Sequence, residues 1–246
     1  MREKTKAAIM AHAEREYPLE CCGVICQKSR VEKYFPCRNI LPPAEKKEEG
    51  PEYGFVLSPQ DYADAEDWGE VIAIVHSHTN ATTQPTERDK NLCDVTKLPW
   101  VIASWPEGDL KMFNPRGDRP LTGRWFDLGY ADCWSLVRDY FRLEHDIILP
   151  NYSVDYHWWE KEYTDNFYYD NWYECGFREF DGPTKEGDMV IMQVQSDRWN
   201  HAGILVEDNM LLHHLYGQIS QKVPYGGYWR ERTMKIVRLK DLGESL

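Results

Sequence analysis

The sequence predicts an α+β protein built as two domains, and three observations lead there. Short helix and strand patterns alternate as far as Phe113. Next comes "NPRGDRPLTGR", Asn114 to Arg124, rich in proline, glycine and charge, which reads as a linker. Beyond it, one amphipathic helix precedes three consecutive strand patterns. With 246 residues the chain has room for two ordinary domains, and with 42% hydrophobic residues each can bury a core. The expected boundary lies near Arg116 to Pro120, giving domains at 1–116 and 117–246.

Element by element, Lys4 to Tyr17 has apolar residues at helical spacing. "CGVICQ" reads as a buried strand and "VEKYFPCRNI" as a second. "PAEKKEEGPEYG" is a charged loop. "SPQDYADAEDWGE" starts a helix, with Ser58 as N-cap and Pro59 in the first turn. "VIAIVHSH" is a buried strand that runs into a polar loop. "TERDKNLCDV" opens another helix, capped by Thr86, with Asp89 three residues on. "PWVIASW" and "DLKMFNP" are strands joined by a turn at Glu107 and Gly108. After the linker, "DCWSLVRDYF" puts Leu136, Val137, Tyr140 and Phe141 on one helical face. A long aromatic insert, Asn151 to Phe180, follows. "EGDMVIMQV", "HAGILVE" and "NMLLHHL" then read as antiparallel strands.

Bulk composition excludes several function classes. A net charge of −12 disfavours nucleic acid and anionic membranes as main partners, since both are themselves anionic. No apolar run reaches the roughly 18 to 20 residues needed to span a bilayer. The charged N-terminus lacks the apolar stretch of a secretory signal, so the protein is expected to be made in a cytoplasm and carried out, if it leaves, by something else. Seven cysteines, an odd number without regular spacing, predict free thiols. Cys21, Cys22 and Cys26 could be metal ligands, but no matching second pair exists, and small buried hydrophobes are the expected role. The cluster "DYHWWEKEYTDNFYYDNWYECGF" is dense enough to suggest an exposed aromatic surface that meets a partner or polymer.

The first chemical constellation is "HSHTNATTQPTERD". A catalytic zinc takes three protein ligands and leaves one position open. His76 and His78 stand two apart at a strand end, so both imidazoles point to one side. Asp89, on the first turn of the next helix, can supply the third ligand. A carboxylate is also needed to move a proton, and Glu20, just ahead of "CGVIC", is the candidate. "PLECCGVI", "VIAIVHSH" and "PTERD" together resemble the JAMM metalloproteases. The resemblance implies an α/β sandwich with a mostly antiparallel sheet, Zn2+ held by His76, His78 and Asp89, and Glu20 as general base. Thr86 stands where that family has serine, and its hydroxyl is expected to help stabilise a tetrahedral intermediate.

The second constellation is built on Cys133. It opens a helix behind Asp132, a natural N-cap, where the helix dipole is expected to favour thiolate. A nucleophilic cysteine needs an imidazole and a third group to orient that ring. His201 opens a strand, and His213 and His214 lie on the next. A turn of three or five residues centred on Glu207 would set His201 opposite His213; a two-residue turn at Asp208 and Asn209 would select His214. "DCWSLVRDYF", "EGDMVIM" and "NHAGILVEDNMLLHHL" resemble the NlpC-type cysteine peptidases of the papain-like class, which cut peptide bonds of bacterial cell-wall peptides. That resemblance implies Cys133 as nucleophile, His201 as base and His213 as the orienting residue. It also calls for an upstream tyrosine. Phe126 stands nearest and lacks the hydroxyl, and Tyr130 is the candidate replacement.

The pairing of the two domains resembles the tail-tip peptidases of lambda-like tailed bacteriophages. It implies peptidoglycan peptides as substrate, other phage tail-tip proteins as partners, and a virion location reached without a signal peptide. The competing expectation is a structural tail-tip assembly component with vestigial sites. A deubiquitinase-like enzyme using the first domain alone ranks last, because it leaves the second domain without a role.

Overall fold

A computed structural model describes residues 1–41, 54–152, 158–160 and 166–240. The chain divides into two compact units, Met1–Gly117 and Asp118–Leu246. Both mix helix and strand, and each has its own sheet.

In the first unit the strands are β1 (Cys22–Lys28), β2 (Val31–Cys37), β3 (Glu70–Thr79), β4 (Trp100–Trp105) and β5 (Leu110–Phe113). They form one sheet in the order β2-β1-β3-β4-β5. Only β3 and β4 run parallel; every other pair is antiparallel. Helix α1 (Glu3–Glu16) covers one face, placing Ile9 and Ala13 against Ile25, Val75 and Val101. Helices α2 (Pro59–Trp68) and α3 (Glu87–Thr96) cover the other, with Ala65 and Cys93 against Val24, Cys26 and Ile74. Both faces are therefore dry, which explains why β1 and β3 read as continuous apolar runs rather than alternating ones. Ser58 caps α2 by accepting from the Asp61 N–H. Cys21, Cys22 and Cys26 are buried and free. Most of the charged segment "PAEKKEEGPEYG" lies outside the described residues.

Gly23 supplies the close approach that β1 requires. A Cβ there would sit 2.4 Å from the Phe35 carbonyl oxygen and 2.6 Å from the Tyr34 hydroxyl. That contact gives the Cys-Gly pair in this strand a steric reason.

The second unit packs α4 (Cys133–His145) on an antiparallel sheet. Its strands are β6 (Phe177–Arg178), β7 (Met189–Met192), β8 (His201–Val206), β9 (Met210–His213), β10 (Gln221–Pro224) and β11 (Thr233–Leu239). They lie in the order β10-β9-β8-β7-β11-β6. Leu136, Val137, Tyr140 and Phe141 of α4 pack on Ala202, Ile204 and Val206. Two short helices, α5 (Phe167–Asn171) and α6 (Gly227–Glu231), flank the sheet.

The aromatic insert departs from its expected role. Trp158, Tyr168 and Phe177 are 6%, 3% and 0% exposed and belong to the core of this unit. Tyr169 and Tyr173 do stay exposed. Among its described residues the insert thus serves packing more than an open surface; residues 153–157 and 161–165 lie outside the described ones. Sequence density alone misleads here, because Phe167 and Tyr168 meet Trp134 edge to face and Trp158 packs tilted on Phe167.

Candidate active sites, one in each unit

In the first unit, β3 ends with His76 and His78 on the same side. The Thr86–Asp89 capping box aims the third group. The Asp89 N–H donates to Thr86 Oγ1, while Asp89 Oδ2 accepts the Thr86 N–H and the Thr86 hydroxyl, each at 2.7 Å. His76 Nε2 lies 3.2 Å from Asp89 Oδ1, and His78 Nε2 lies 3.3 Å from Asp89 Oδ2. One donor atom from each of the three residues falls within 4.8 Å of the others, all three being buried. The His78 Nδ1–H donates to the Thr82 carbonyl at 2.8 Å, which leaves Nε2 as the lone-pair nitrogen facing the cluster. Both ring nitrogens of His76 are buried without a partner in hydrogen-bond geometry; its approach to Asp89 is close but off-angle. A buried, unpartnered imidazole nitrogen beside a carboxylate and a second imidazole is the donor set a tetrahedral divalent ion takes.

Glu20 reaches this cluster through β1. Cys22 pairs with His76. The Cys21 N–H donates to Ser77 Oγ at 2.8 Å and the Ser77 N–H donates to the Cys21 carbonyl, which holds Glu20 beside the histidines. Burial raises the Glu20 carboxyl pKa, with His76 and His78 partly offsetting it. Burial also opposes ionisation of Asp89, but the close approach of His76 and His78, and then the Thr86 hydrogen bond, overcome it and hold that carboxyl well below the usual range. Phe55 stacks on His76 at 4.8 Å and Trp100 meets it edge-on at 5.4 Å. Neither ring stood out in the sequence. The Thr86 hydroxyl, expected to serve a reaction intermediate, is instead engaged by Asp89.

In the second unit, Asp132 caps α4 by accepting from the Ser135 N–H, and also accepts from the Gly129 N–H at 2.6 Å. Cys133, the first residue of the helix, lines a cavity of about 410 Å³ together with His201, His214, Trp158, Trp159 and Tyr168. His201 Nε2 lies 3.1 Å from His213 Nδ1. The connection between β8 and β9 is three residues, Glu207 to Asn209, centred one residue later than expected. Gly203, not His201, is therefore directly opposite His213. His201 and His213 still share a face because they stand diagonally, two positions apart in the ladder. His214, which also lines the cavity, has its Nε2 3.1 Å from the Gln218 carbonyl oxygen.

The expected thiolate is not what the surroundings favour. Burial, and then the negative charge of Asp132, push the Cys133 thiol up to about 12. Burial also drives His201 well below its ordinary value and takes His213 down to about 4. Burial thus works against charge on either member of the pair. Cys133 Sγ is partnered by the Tyr168 hydroxyl at 3.1 Å. Phe126 packs edge-on against His214 and Tyr216. Tyr130, the expected replacement hydroxyl, is not among the cavity-lining residues. Sequence reasoning missed Tyr168 and also Trp229, whose ring lies 4.3 Å from that of His213.

The two units correspond to two known domain classes. The model of the prokaryotic homologs of the JAB domain matches residues 2–115, and that of the NlpC/P60 family matches residues 122–238. Over its length the chain is 68% identical to the tail tip assembly protein K of Escherichia phage N15, covering 98% of this chain and 97% of that protein. It is 33% identical to the tail tip assembly protein K of Escherichia phage lambda, covering 74% of this chain and 88% of that protein. The chain belongs to the tail tip assembly protein K family. Among solved structures, a JAB1/MPN domain protein from Archaeoglobus fulgidus is similar at 19% identity and a TM-score of 0.30, covering 46% of this chain and 84% of that one.

Proposed function

We propose that this chain is a peptide hydrolase of a phage tail tip, whose second unit cuts peptide bonds of bacterial peptidoglycan through Cys133, His201 and His213. The observation that supports it most is the His201–His213 contact at 3.1 Å, beside a cavity that Cys133 and His201 both line. His201 takes the thiol proton as Cys133 Sγ bonds to the substrate carbonyl carbon. It then gives that proton to the departing amine, leaving an acyl-enzyme. Water, deprotonated by His201, releases the acid and restores the thiol. His213 holds the His201 ring in register through Nδ1 and, being neutral, adds no charge.

The first unit is a second hydrolase-like centre of undetermined substrate. His76, His78 and Asp89 would hold the metal, and nitrogen and oxygen donors of this kind suit zinc. Such an ion, when bound, supplies the Lewis acidity that makes water nucleophilic near neutral pH. Glu20 would hold and pass on a proton there. Thr86 keeps Asp89 in position.

The relatives' names support a virion location and other tail-tip proteins as partners. The charge of −12 disfavours nucleic acid. Among the described residues no helix is long and apolar enough to cross a membrane. Digestion of purified cell-wall sacculi, read by mass spectrometry, tests the assignment. The parent and Glu20→Ala should release peptides, while Cys133→Ala should release none. If the parent releases no more than a buffer blank, the assembly-component reading takes its place.

A further inference from the structure

The aromatic insert places one polar atom against the candidate nucleophile. Tyr168 enters from α5, is 3% exposed, and puts its hydroxyl 3.1 Å from Cys133 Sγ. Its ring is clamped edge-on by Trp134 at 6.3 Å and by Phe167 at 5.0 Å. Upstream of the cysteine helix, Phe126 has no hydroxyl and packs on His214 and Tyr216, and Tyr130 is not among the cavity-lining residues. Among the described residues no hydrogen bond joins Cys133 Sγ to His201, so the phenol is the side-chain group that meets the sulfur. We propose that Tyr168 is a catalytic hydrogen-bond donor of this site, delivered by the insert rather than by the segment ahead of the cysteine helix.

The step balances without any further reactant. The thiol proton passes from Cys133 Sγ to His201 as the C–S bond forms. The Tyr168 O–H donates to the sulfur while negative charge gathers there, and retains its own proton throughout. Burial first, and then Cys133, hold the phenol pKa well above its ordinary value, so Tyr168 acts as a donor and not as a base. Its hydrogen bond also opposes the burial that pushes the thiol up. A hydrogen bond to a charged group is worth more than one between neutral groups, and a clamped ring holds that donor in place before reaction.

The proposal rests on Cys133 being the nucleophile, so its test reads the sulfur directly. Full-length parent and Tyr168→Phe are alkylated with iodoacetamide at neutral pH, and the Cys133 peptide is followed by mass spectrometry. Loss of the donor should slow alkylation roughly three- to tenfold, the smaller thiolate fraction being partly offset by a more nucleophilic sulfur. Sacculus cleavage should fall about 100-fold in kcat, with KM held. Replacing Tyr168 by 3,5-difluorotyrosine, a more acidic phenol of nearly the same shape, should speed alkylation, and it decides the matter if Tyr168→Phe fails to fold. An unchanged alkylation rate in both variants overturns the proposal, as does a parental kcat in Tyr168→Phe. If alkylation responds as expected but no protein, parent included, cuts sacculi, the role of Tyr168 stands and the cell-wall reading falls.

Discussion

Asp89 Oδ2 accepts both the backbone N–H and the hydroxyl of Thr86, and the same carboxylate faces His76 and His78. A helix cap thus doubles as a support for a candidate metal ligand. Removing an outer hydrogen bond of this kind typically costs 10- to 100-fold in metal affinity. Thr86→Val should therefore weaken zinc binding by about that factor, while Thr86→Ser stays near parental; titration calorimetry on the metal-free chain measures it. Equal affinity in Thr86→Val would show that Asp89 needs no such support. These residues were legible because strand parity and a capping box are local rules: His76 and His78 share a side, and Asp89 sits three after its cap. Tyr168 was not legible. Its contact with Cys133 spans 35 positions and depends on how an insert without period folds back. The burial of the thiol was not legible for a related reason. Helix position and the charge of Asp132 are local, whereas burial belongs to the assembled site.

The β8–β9 hairpin sets the geometry of the second site. Its turn contains two consecutive left-handed residues, Asp208 at φ 57° and Asn209 at φ 56°. Asp and Asn are the non-glycine types that tolerate this conformation best. Strand parity was readable from the sequence, and it selected His213 among the open alternatives once the odd-length turn was known. The centre of the turn was not readable, because Glu207 and Asp208 are equally compatible with it. Directly opposite His213 stands Gly203, where an added Cβ would meet Leu211 Cδ1 and the Leu212 carbonyl oxygen at 2.8 Å and His213 Cβ at 3.0 Å. Absence of a side chain at Gly203 lets the His213 strand approach closely. Gly203→Ala should destabilise the second unit by roughly 1–3 kcal/mol through overpacking, and should reduce cleavage further by displacing His213. Urea unfolding with sacculus digestion on the same preparation checks both; undiminished stability would mean that the strand yields freely.

At the scale of the molecule, each unit closes its own core around its own cluster of ionisable groups. The composition of "NPRGDRPLTGR" marks where the texture changes, and the two compact units meet at Gly117 and Asp118. The second unit carries a built-in acid sensitivity. Burial lowers both His213 and His214 to about 4, from an ordinary value of 6.5. The unfolded chain therefore binds protons there that the folded chain does not. Stability from these two groups is fully present above about pH 6.5 and is lost as pH falls toward about 4. Melting temperatures across that window should decline, and His214→Leu should flatten the decline; identical slopes would remove His214 from the account. The cavity wall has one more consequence. Trp134, Trp158 and Trp159 line the space beside Cys133. Indole emission shifts with the polarity around the ring, so any peptide that displaces solvent there changes the chain's own light, and occupancy of the site becomes visible without a label.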